Sequence, residues 1–389
     1  MATAIVSGAL ANKPFNGGEA WVRLSWALGL RRLGFDVYFV EEVAAADCVA
    51  ESGEPADFAS CVNRAYFESV VEDFGLGDRS GLLYEGGRGS FGLGLAELGE
   101  LAADADLLVN ISGHLTADEI LARPRTRLYV DLDPGFTQAW HADDRIAFAL
   151  GGHDHYATVG LNVGAPGWPI PSCGIDWIAT LPPVLLHEWS CGPDPTGRLR
   201  FTSVATWRSP YGPLEMGNRT MGLKHHEFRR LIELPERVEG ATFELALDIH
   251  PGDSTDLDAL RAQGWTIVDP REVAGTPRAF RDYVRESGAE FSVAQGVYAE
   301  SRSGWFSDRT AAYLACGRPA VVQRTGIEDD LVPDRGLLTF DSLSDAVARA
   351  AELVAFHPEH CRAARSFAVE QLDSDRVLGR ILERIGVGG

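Results

Sequence analysis

A polar loop directly before a predicted helix is the part of this sequence best suited to hold a phosphate group. Residues 300–309 (ESRSGWFSDR) follow the apolar run 289–294, which predicts a strand, and lead into a helix from about Ser307 to Ala315. The free amides and the dipole at a helix start attract anions, and serine hydroxyls and arginines add hydrogen-bond donors. The residues expected to contact the ligand are Arg302, Ser303, Gly304, Trp305, Ser307, Asp308 and Arg309, together with Thr325 and Gly326 after the next strand. The alternative is that Ser307 only caps the helix and that the aromatic residues belong to the core.

Two other loops follow the first strand of each half of the sequence. In LANKPFNGGEAW, Gly17 and Gly18 allow the backbone to come close to a ligand, and Glu19 lies at a helix start. The loop 206–228 is long and carries Arg208 and Lys224, which suit a phosphate. We expect this second loop to close over the ligand, and the alternative is an insertion without a function.

Acid–base chemistry has four candidate residues, of which three lie at predicted strand ends. His114 follows Ser112-Gly113, Asp131 and Asp133 bracket the end of the next strand, and Glu19 is the fourth candidate. A histidine or a partly desolvated carboxylate supplies a base near neutral pH. The clusters 153–155 (HDH) and 225–226 (HH) carry further candidate acid–base groups. The HDH cluster also suggests a metal, but it lacks a third ligand at a standard spacing, so we predict no metal site.

The elements that must position these residues alternate between strands and helices in both halves of the chain. Apolar runs at 106–112, 127–133, 199–207, 241–250 and 319–323 predict buried strands of parallel sheets. A proline-rich segment separates the two halves. We predict a Rossmann-like domain over 1–178, a linker over 179–198, a second Rossmann-like domain over 199–370, and a C-terminal helix within 371–389 that packs back on the first domain. Ligands of such α/β sheets bind beyond the carboxyl ends of the strands, which places the site in the cleft between the domains.

The composition excludes several classes of partner. The chain of 389 residues has a formal net charge of −21, so we expect neither nucleic-acid binding nor docking on an anionic membrane. No apolar run approaches the length of about 20 residues that a membrane span needs. The six cysteines lack a CxxC pair, which predicts reduced thiols and a cytoplasmic protein.

The second half of the sequence resembles the donor-binding half of GT-B glycosyltransferases, including poorly characterised bacterial ones. RSGWFS is similar to the His-Cys-Gly-Trp-Asn-Ser core of the donor-binding box of small-molecule glycosyltransferases, and ACGRPAVV resembles the Ala-Cys-Gly-x-Pro-Val-Val of the glycogen-synthase-like branch. The resemblance implies two Rossmann-like, doubly wound domains facing each other across a cleft, with Ser307 at a phosphate-binding position. The acidic position that grips the ribose falls on Thr310, and the paired glutamates fall on Gly304 and Ala312, so Asp308 and Glu300 are the expected replacements.

This resemblance predicts an enzyme that transfers a sugar from a nucleoside-diphosphate sugar, such as a UDP-sugar, to a soluble small-molecule acceptor. The nucleotide sugar is a co-substrate, and neither a bound cofactor nor a metal ion is expected. Two alternatives stay open at this point: a sugar-nucleotide epimerase of the same architecture, and a non-catalytic protein that binds sugar nucleotides.

Overall fold

Two parallel sheets organise the chain, one built from each half of the sequence. The computed structural model describes residues 2–143, 150–192, 197–209, 212–216, 219–329, 331 and 334–388. The strands are β1 (Thr3–Ser7), β2 (Asp36–Val43), β3 (Ser80–Tyr84), β4 (Gly89–Gly92), β5 (Leu107–Ile111), β6 (Thr126–Asp131), β7 (His155–Thr158), β8 (Trp177–Ala179), β9 (Leu199–Thr206), β10 (Leu214–Met216), β11 (Arg219–Met221), β12 (Ala241–Asp248), β13 (Trp265–Val268), β14 (Ala289–Ser292), β15 (Ala320–Gln323) and β16 (Leu337–Phe340).

The helices cover both faces of the two sheets. They are α1 (Gly17–Arg32), α2 (Val62–Asp73), α3 (Leu95–Asp104), α4 (Asp118–Leu121), α5 (Phe136–Ala142), α6 (Lys224–Arg229), α7 (Leu234–Arg237), α8 (Ser254–Ala262), α9 (Pro270–Ala274), α10 (Pro277–Glu286), α11 (Gly296–Ser301), α12 (Asp308–Ala315), α13 (Leu343–Ala355), α14 (His357–Phe367) and α15 (Ser374–Arg384). No helix within the described ranges is long and apolar enough to cross a membrane.

The sheet of the first half has eight strands in the order β4-β3-β2-β1-β5-β6-β7-β8. All neighbours are parallel except β4, which runs antiparallel to β3 at the edge. Strand order reverses between β1 and β5, which opens a crevice beyond their carboxyl ends. The loop that leads to Glu19 and the loop that carries His114 lie at this crevice because each directly follows one of these two strands.

The sheet of the second half has six parallel strands in the order β13-β12-β9-β14-β15-β16. Its order reverses between β9 and β14, so the loops after these strands flank a second crevice. The loop after β9 contains the short antiparallel hairpin β10–β11 and then leads into α6. The predicted doubly wound architecture of both halves is therefore confirmed.

The two halves share a continuous apolar core. One cluster of buried side chains includes Trp21 of α1, Phe280 of α10, Leu314 of α12 and Leu378 of α15. The helix α1 is buried along most of its length because the first sheet covers one side and helices of the second half cover the other. A second cluster, around Phe243 and other aromatic residues, fills the far face of the second sheet.

The last helix crosses back to the first half of the molecule. The amide of Val184 donates to the carbonyl of Leu372 at 2.8 Å, and Arg32 of α1 forms a two-pronged ion pair with Asp375 of α15. The side chain of Leu378 fits against Gly29, where a Cβ would lie 2.5 Å from its Cδ1. The helix α15 thus packs on α1, although the two helices are distant in sequence.

Candidate active site

The carboxyl edges of the two sheets face each other across a cleft. Tyr298 of α11, which follows β14, donates its hydroxyl to Oδ1 of Asp133, which follows β6, at 2.7 Å. The side-chain amide of Asn162 donates to the carbonyls of Arg302 and Gly326 at 2.9 and 3.1 Å. These cross-cleft hydrogen bonds bring the loops after β6 and β7 against the loops after β14 and β15.

Asp131 and Asp133 have different surroundings although they are two residues apart. Asp131 is fully buried and accepts hydrogen bonds from Thr137 Oγ1, Gln138 Nε2, Thr158 Oγ1 and the amide of Asp133, at 2.6–2.9 Å. Burial raises the pKa of Asp131, and the three side-chain donors oppose this shift. These hydrogen bonds fix the side chain of Asp131 at the end of β6. A buried carboxylate with four donors does not favour the predicted catalytic role.

Asp133 lies in the cleft, where it keeps contact with solvent although groups from both walls of the cleft surround it. The loss of water between the two halves raises its pKa despite the hydrogen bond from Tyr298, and the charges of Asp131 and Glu19 add to the shift. A carboxylate with a raised pKa in contact with the cleft is suited to accept a proton from a substrate hydroxyl.

His114 is presented by a strained turn after β5. Ser112 and Gly113 both have a positive φ, of 56° and 69°, and a non-glycine residue seldom adopts this conformation. The buried Asn110 ties this turn together, since its side-chain amide donates to the carbonyl of Leu115 and its carbonyl oxygen accepts from the amide of Leu115. Burial and the charges of Arg23 and Lys13 lower the pKa of His114 to about 4, so the imidazole is neutral at pH 7.

Glu19 occupies the first turn of α1, where Asn16 caps the helix by accepting from the Glu19 amide. The side chain of Glu19 is paired with Arg23, whose own side chain is 3% exposed. Burial opposes ionisation of Glu19, but the charges of Arg23 and Lys13 prevail and lower its pKa. A carboxylate held in its ionised form is a weak base and a good electrostatic partner.

The backbone at Gly17 and Gly18 closely approaches another group, as the sequence predicts, but that group belongs to the second half of the protein. A Cβ at Gly17 would lie 2.1 Å from the carbonyl oxygen of Thr276, and one at Gly18 would lie 3.2 Å from the ring of Phe280. Glycine is therefore required here for the packing of α1 against the segment that leads into α10. Their predicted contact with a ligand stays a prediction.

The loop 302–306 is largely occupied by contacts with the first half. The carbonyls of Ser303 and Gly304 accept from the amides of Asn162 and Leu161 at 3.0 and 3.2 Å, and the amide of Phe306 donates to the carbonyl of Val159 at 3.2 Å. At Gly304, φ is 72° and a Cβ would lie 2.7 Å from the Leu161 amide. This part of the predicted phosphate loop joins the two halves, which leaves fewer free amides for a phosphate.

The remaining donor candidates around this loop have partners of their own. Thr325 donates its hydroxyl to the carbonyl of Trp305 at 2.8 Å, and the amide of Trp305 donates to the hydroxyl of Ser303. The ring of Trp305 stacks on Tyr298 at 4.5 Å between centroids, which is the flat partner that an aromatic residue in a loop needs. The carbonyl of Gly326 accepts from Asn162.

Three of the four predicted phosphate-binding cations are already paired. Arg302 is half exposed and forms ion pairs with Glu328 and Asp329, and Arg208 forms a two-pronged pair with Asp253. Arg309 donates to the buried Glu290, to the carbonyl of Val204 and to the hydroxyl of Ser292. The pKa of Arg302 and that of Arg208 are raised by these carboxylates.

Lys224 differs from these arginines. Within the described ranges its ammonium group makes no ion pair, and it starts the helix α6, whose first amide donates to Gln295 Oε1 at 2.7 Å. Burial and the charge of Arg309 lower its pKa to about 8, while Asp308, Asp133 and Glu19 oppose this shift. Lys224 therefore lies close to charged groups from both walls of the cleft.

Ser307 and Asp308 form the start of α12 at the same place. Ser307 is buried at the N-cap position, and its hydroxyl makes no hydrogen bond to the described residues. The loss of water in the cleft and the charge of Glu19 raise the pKa of Asp308 to about 6. A free hydroxyl and the amides of a helix start are suited to an anion, whereas a carboxylate such as that of Asp308 is suited to bind a sugar or ribose hydroxyl.

Residues of both histidine clusters have structural partners. The ring of His153 contacts Asn110 and the carbonyl of Leu150, and Asp154 pairs with Arg127. The Nδ1 atom of His226 accepts from the amide of Leu223. The part of the chain that the structure describes holds no group of three His, Cys, Asp or Glu side chains arranged to bind a metal ion.

Sequence reasoning missed two glutamates and a tyrosine of the cleft. Glu41 and Glu42 lie near the end of the largely apolar strand β2, and this pair of charges in a buried strand was the signal that could have revealed them. Burial raises the pKa of Glu41 to about 7, although hydrogen bonds from the amides of Asn12, Ala11 and Leu10 oppose the shift. Tyr298 gave no signal, because its contact with Asp133 depends on the arrangement of the two halves.

Solved structures, but no sequence family, match this architecture. No protein-family profile matches the sequence, and no curated protein matches it. Among solved structures, Anabaena Alr3699/HepE in complex with UDP and glucose is similar at 12% identity, with a TM-score of 0.60 over 99% of each chain. The α-glucosyltransferase AGT in complex with UDP superposes over 99% of this chain and 100% of its own, with 11% identity and a TM-score of 0.62. This chain has the GT-B fold.

Other solved structures with the GT-B fold come from proteins that differ in ligand or pathway. An AGT complex contains UDP and a 13-mer DNA, at 12% identity and a TM-score of 0.60 over 99% of this chain and 100% of that one. AviGT4, a glycosyltransferase involved in avilamycin A biosynthesis, is 15% identical, with a TM-score of 0.54 over 99% of this chain and 97% of its own. The predicted GT-B architecture is thus confirmed over the full length of the chain, and identities this low carry the fold alone.

Proposed function

We propose that this protein is a glycosyltransferase that moves a sugar from a nucleoside-diphosphate sugar to an acceptor bound in the cleft. The observation that carries the proposal is Lys224, a cation without an ion pair among the described residues, placed at the meeting point of the two sheets. Its neighbours Ser307 and the start of α12 complete a site for a diphosphate. Structures with the same fold hold UDP, which supports a nucleotide as the ligand.

In the proposed reaction the second half binds the donor and the first half acts on the acceptor. Lys224 and the α12 amides offset the negative charge that develops on the departing diphosphate, so the step needs no metal ion. Asp133 accepts the proton of the acceptor hydroxyl, and the neutral His114 hydrogen-bonds a sugar hydroxyl. We propose a soluble small-molecule acceptor, because the net charge of −21 disfavours nucleic acid even though one structural neighbour was solved with DNA.

Calorimetric titration with UDP, TDP and GDP tests the nucleotide site. We expect one of them to bind, and we expect Lys224→Ala to weaken that binding by about ten- to a hundredfold, the usual value of a charge-assisted contact. Arg237→Ala is the matched control, since this exposed arginine pairs with Glu233 away from the cleft. Failure of all three nucleotides to bind at millimolar concentration would contradict the proposal.

Mass spectrometry of mixtures with nucleotide sugars and candidate acceptors tests the transfer itself. We expect a glycosylated acceptor whose formation is unchanged by EDTA. Isomerisation of the sugar nucleotide without an acceptor would instead identify an epimerase, and binding without any turnover would identify a non-catalytic protein.

A further inference from the structure

Two consecutive carboxylates lie near the end of the strand β2 and bind two different loops of the cleft. Glu41 is fully buried and Glu42 is partly buried. Because successive side chains of a strand point to opposite faces of the sheet, the two carboxylates lie on opposite sides of β2. Each of them accepts hydrogen bonds from backbone amides of a loop that follows another strand of the sheet, β1 for Glu41 and β5 for Glu42.

Glu41 binds the loop after β1. Its Oε2 accepts from the amides of Leu10 and Ala11, and its Oε1 accepts from the amide and the side chain of Asn12, all at 2.8–2.9 Å. These four donors use the full acceptor capacity of one carboxylate. The loop they fix continues directly into Lys13.

Glu42 binds the loop after β5 in the same way. Its Oε2 accepts from the amide of Thr116, from the Thr116 hydroxyl at 3.1 Å and from the amide of Ala117 at 3.1 Å. This loop begins with the strained turn at Ser112 and carries His114. Asn110 holds the loop from inside the sheet, and Glu42 holds its outer end.

The two loops present groups that interact electrostatically in the cleft. The charge of Lys13 acts on Glu19, His114 and Asp133, so the loop after β1 lies within reach of the proposed sugar site. A small shift of either loop changes the distances between these groups. The carboxylates that fix the loops therefore influence the site without touching a substrate.

We propose that Glu41 and Glu42 are positioning residues of the cleft, in which Glu41 sets the loop carrying Lys13 and Glu42 sets the loop carrying His114. This inference rests on the proposed function for its kinetic consequence, but the loop geometry on which it stands does not. Each glutamate governs its own loop, so the two effects are separable.

Hydrogen exchange of the full-length protein measures the loops directly. In Glu41→Gln, the amides of residues 10–12 lose acceptors, and we expect them to exchange about tenfold faster or more, with residues 116–117 unchanged. In Glu42→Gln, we expect the reverse. Glu244→Gln is the matched control, because this strand glutamate pairs with Arg200 in the second sheet and touches neither loop.

Ligand binding and kinetics measure the consequence. With UDP as the probe, we expect both variants to bind as the wild type does, because the nucleotide belongs to the second half. In the transfer reaction we expect Glu41→Gln and Glu42→Gln each to lower kcat by about tenfold, because both loops face the proposed sugar site. A protein that binds no UDP contradicts the proposed function, and the exchange data still decide the role of the glutamates. Unchanged protection in both variants, or equal loss in both loops from either variant, overturns the inference.

Discussion

At the scale of single residues, neighbouring side chains of the same type perform different tasks because their surroundings differ. Asp131 is enclosed by four donors, whereas Asp133 faces the cleft with one tyrosine hydroxyl. The cations of the site divide in the same way, since Arg208, Arg302 and Arg309 pair with carboxylates, whereas Lys224 pairs with none among the described residues. Chemistry at this site therefore depends on which groups the fold leaves uncommitted.

The two aspartates should give opposite results when each is changed to asparagine. Asp131→Asn places an amide among hydrogen-bond donors and should reduce the free energy of unfolding by about 1–3 kcal/mol. Asp133→Asn should alter stability by less than about 0.5 kcal/mol but lower kcat by about a hundredfold or more, because the proposed base is lost. Urea unfolding and steady-state kinetics of both variants measure these effects. Equal loss of activity with no loss of stability in Asp131→Asn would show that its role is chemical.

The affinity for a nucleoside diphosphate should depend on pH through Lys224. The pKa of this lysine is lowered to about 8, so it is charged below that pH and loses its charge as the pH rises. We expect affinity for UDP to fall by about tenfold or more between pH 7 and 9.5. Lys224→Arg, which stays charged over this range, should remove the dependence. Calorimetry across the pH range tests this, and a pH-independent wild type would contradict it.

At the scale of elements, the glycines at the start of α1 show how closely the two halves meet. Gly17 faces the backbone of Thr276, and no side chain fits between them. The helix α1 is thus fixed by the second half at its start and by α15 near its end. Such contacts decide where the first turn of α1, with Glu19, lies in the cleft.

Two glycine-to-alanine substitutions should separate packing from helix propensity. Gly17→Ala should destabilise the protein by about 1–3 kcal/mol, because its Cβ would meet a backbone carbonyl that cannot move aside. Gly379→Ala in α15, where a Cβ meets nothing within 4 Å, should stabilise it by about 0.4–1 kcal/mol. Thermal unfolding of both variants gives the comparison, and a neutral Gly17→Ala would show that α1 and Thr276 separate readily.

The sequence predicted the most apolar strands, such as β5, β6, β9, β12 and β15, but it did not predict β3, β7 or β16, nor how side chains are shared across the molecule. Apolar runs placed His114 and Asp133 just after β5 and β6, because buried parallel strands leave a clear pattern. The hydrogen bonds that enclose Asp131 come in part from Thr137 and Thr158, and no local sequence pattern links these residues to Asp131. For the same reason the glycine of RSGWFS was expected at a phosphate, whereas its partner is Leu161 from the other half.

At the scale of the whole molecule, the continuous core should make the two halves unfold together. Leu378 is 1% exposed and packs on α1, so Leu378→Ala should lower the free energy of unfolding by about 2–5 kcal/mol. We expect a single calorimetric transition that shifts as a whole. Val369→Ala is the control, since this valine is 40% exposed and should have little effect. Two transitions, of which only one shifts, would contradict a shared core.

The packing of α15 on α1 also has a consequence for biosynthesis. The residues that cover Gly29 of α1, Ser374 and Leu378, are synthesised long after α1 itself. At about 5–20 residues per second, the interval between them is on the order of 20–70 s. During that time the nascent chain exposes an apolar strip of α1 at the ribosome surface, which makes this helix a target for chaperones until Leu378 emerges.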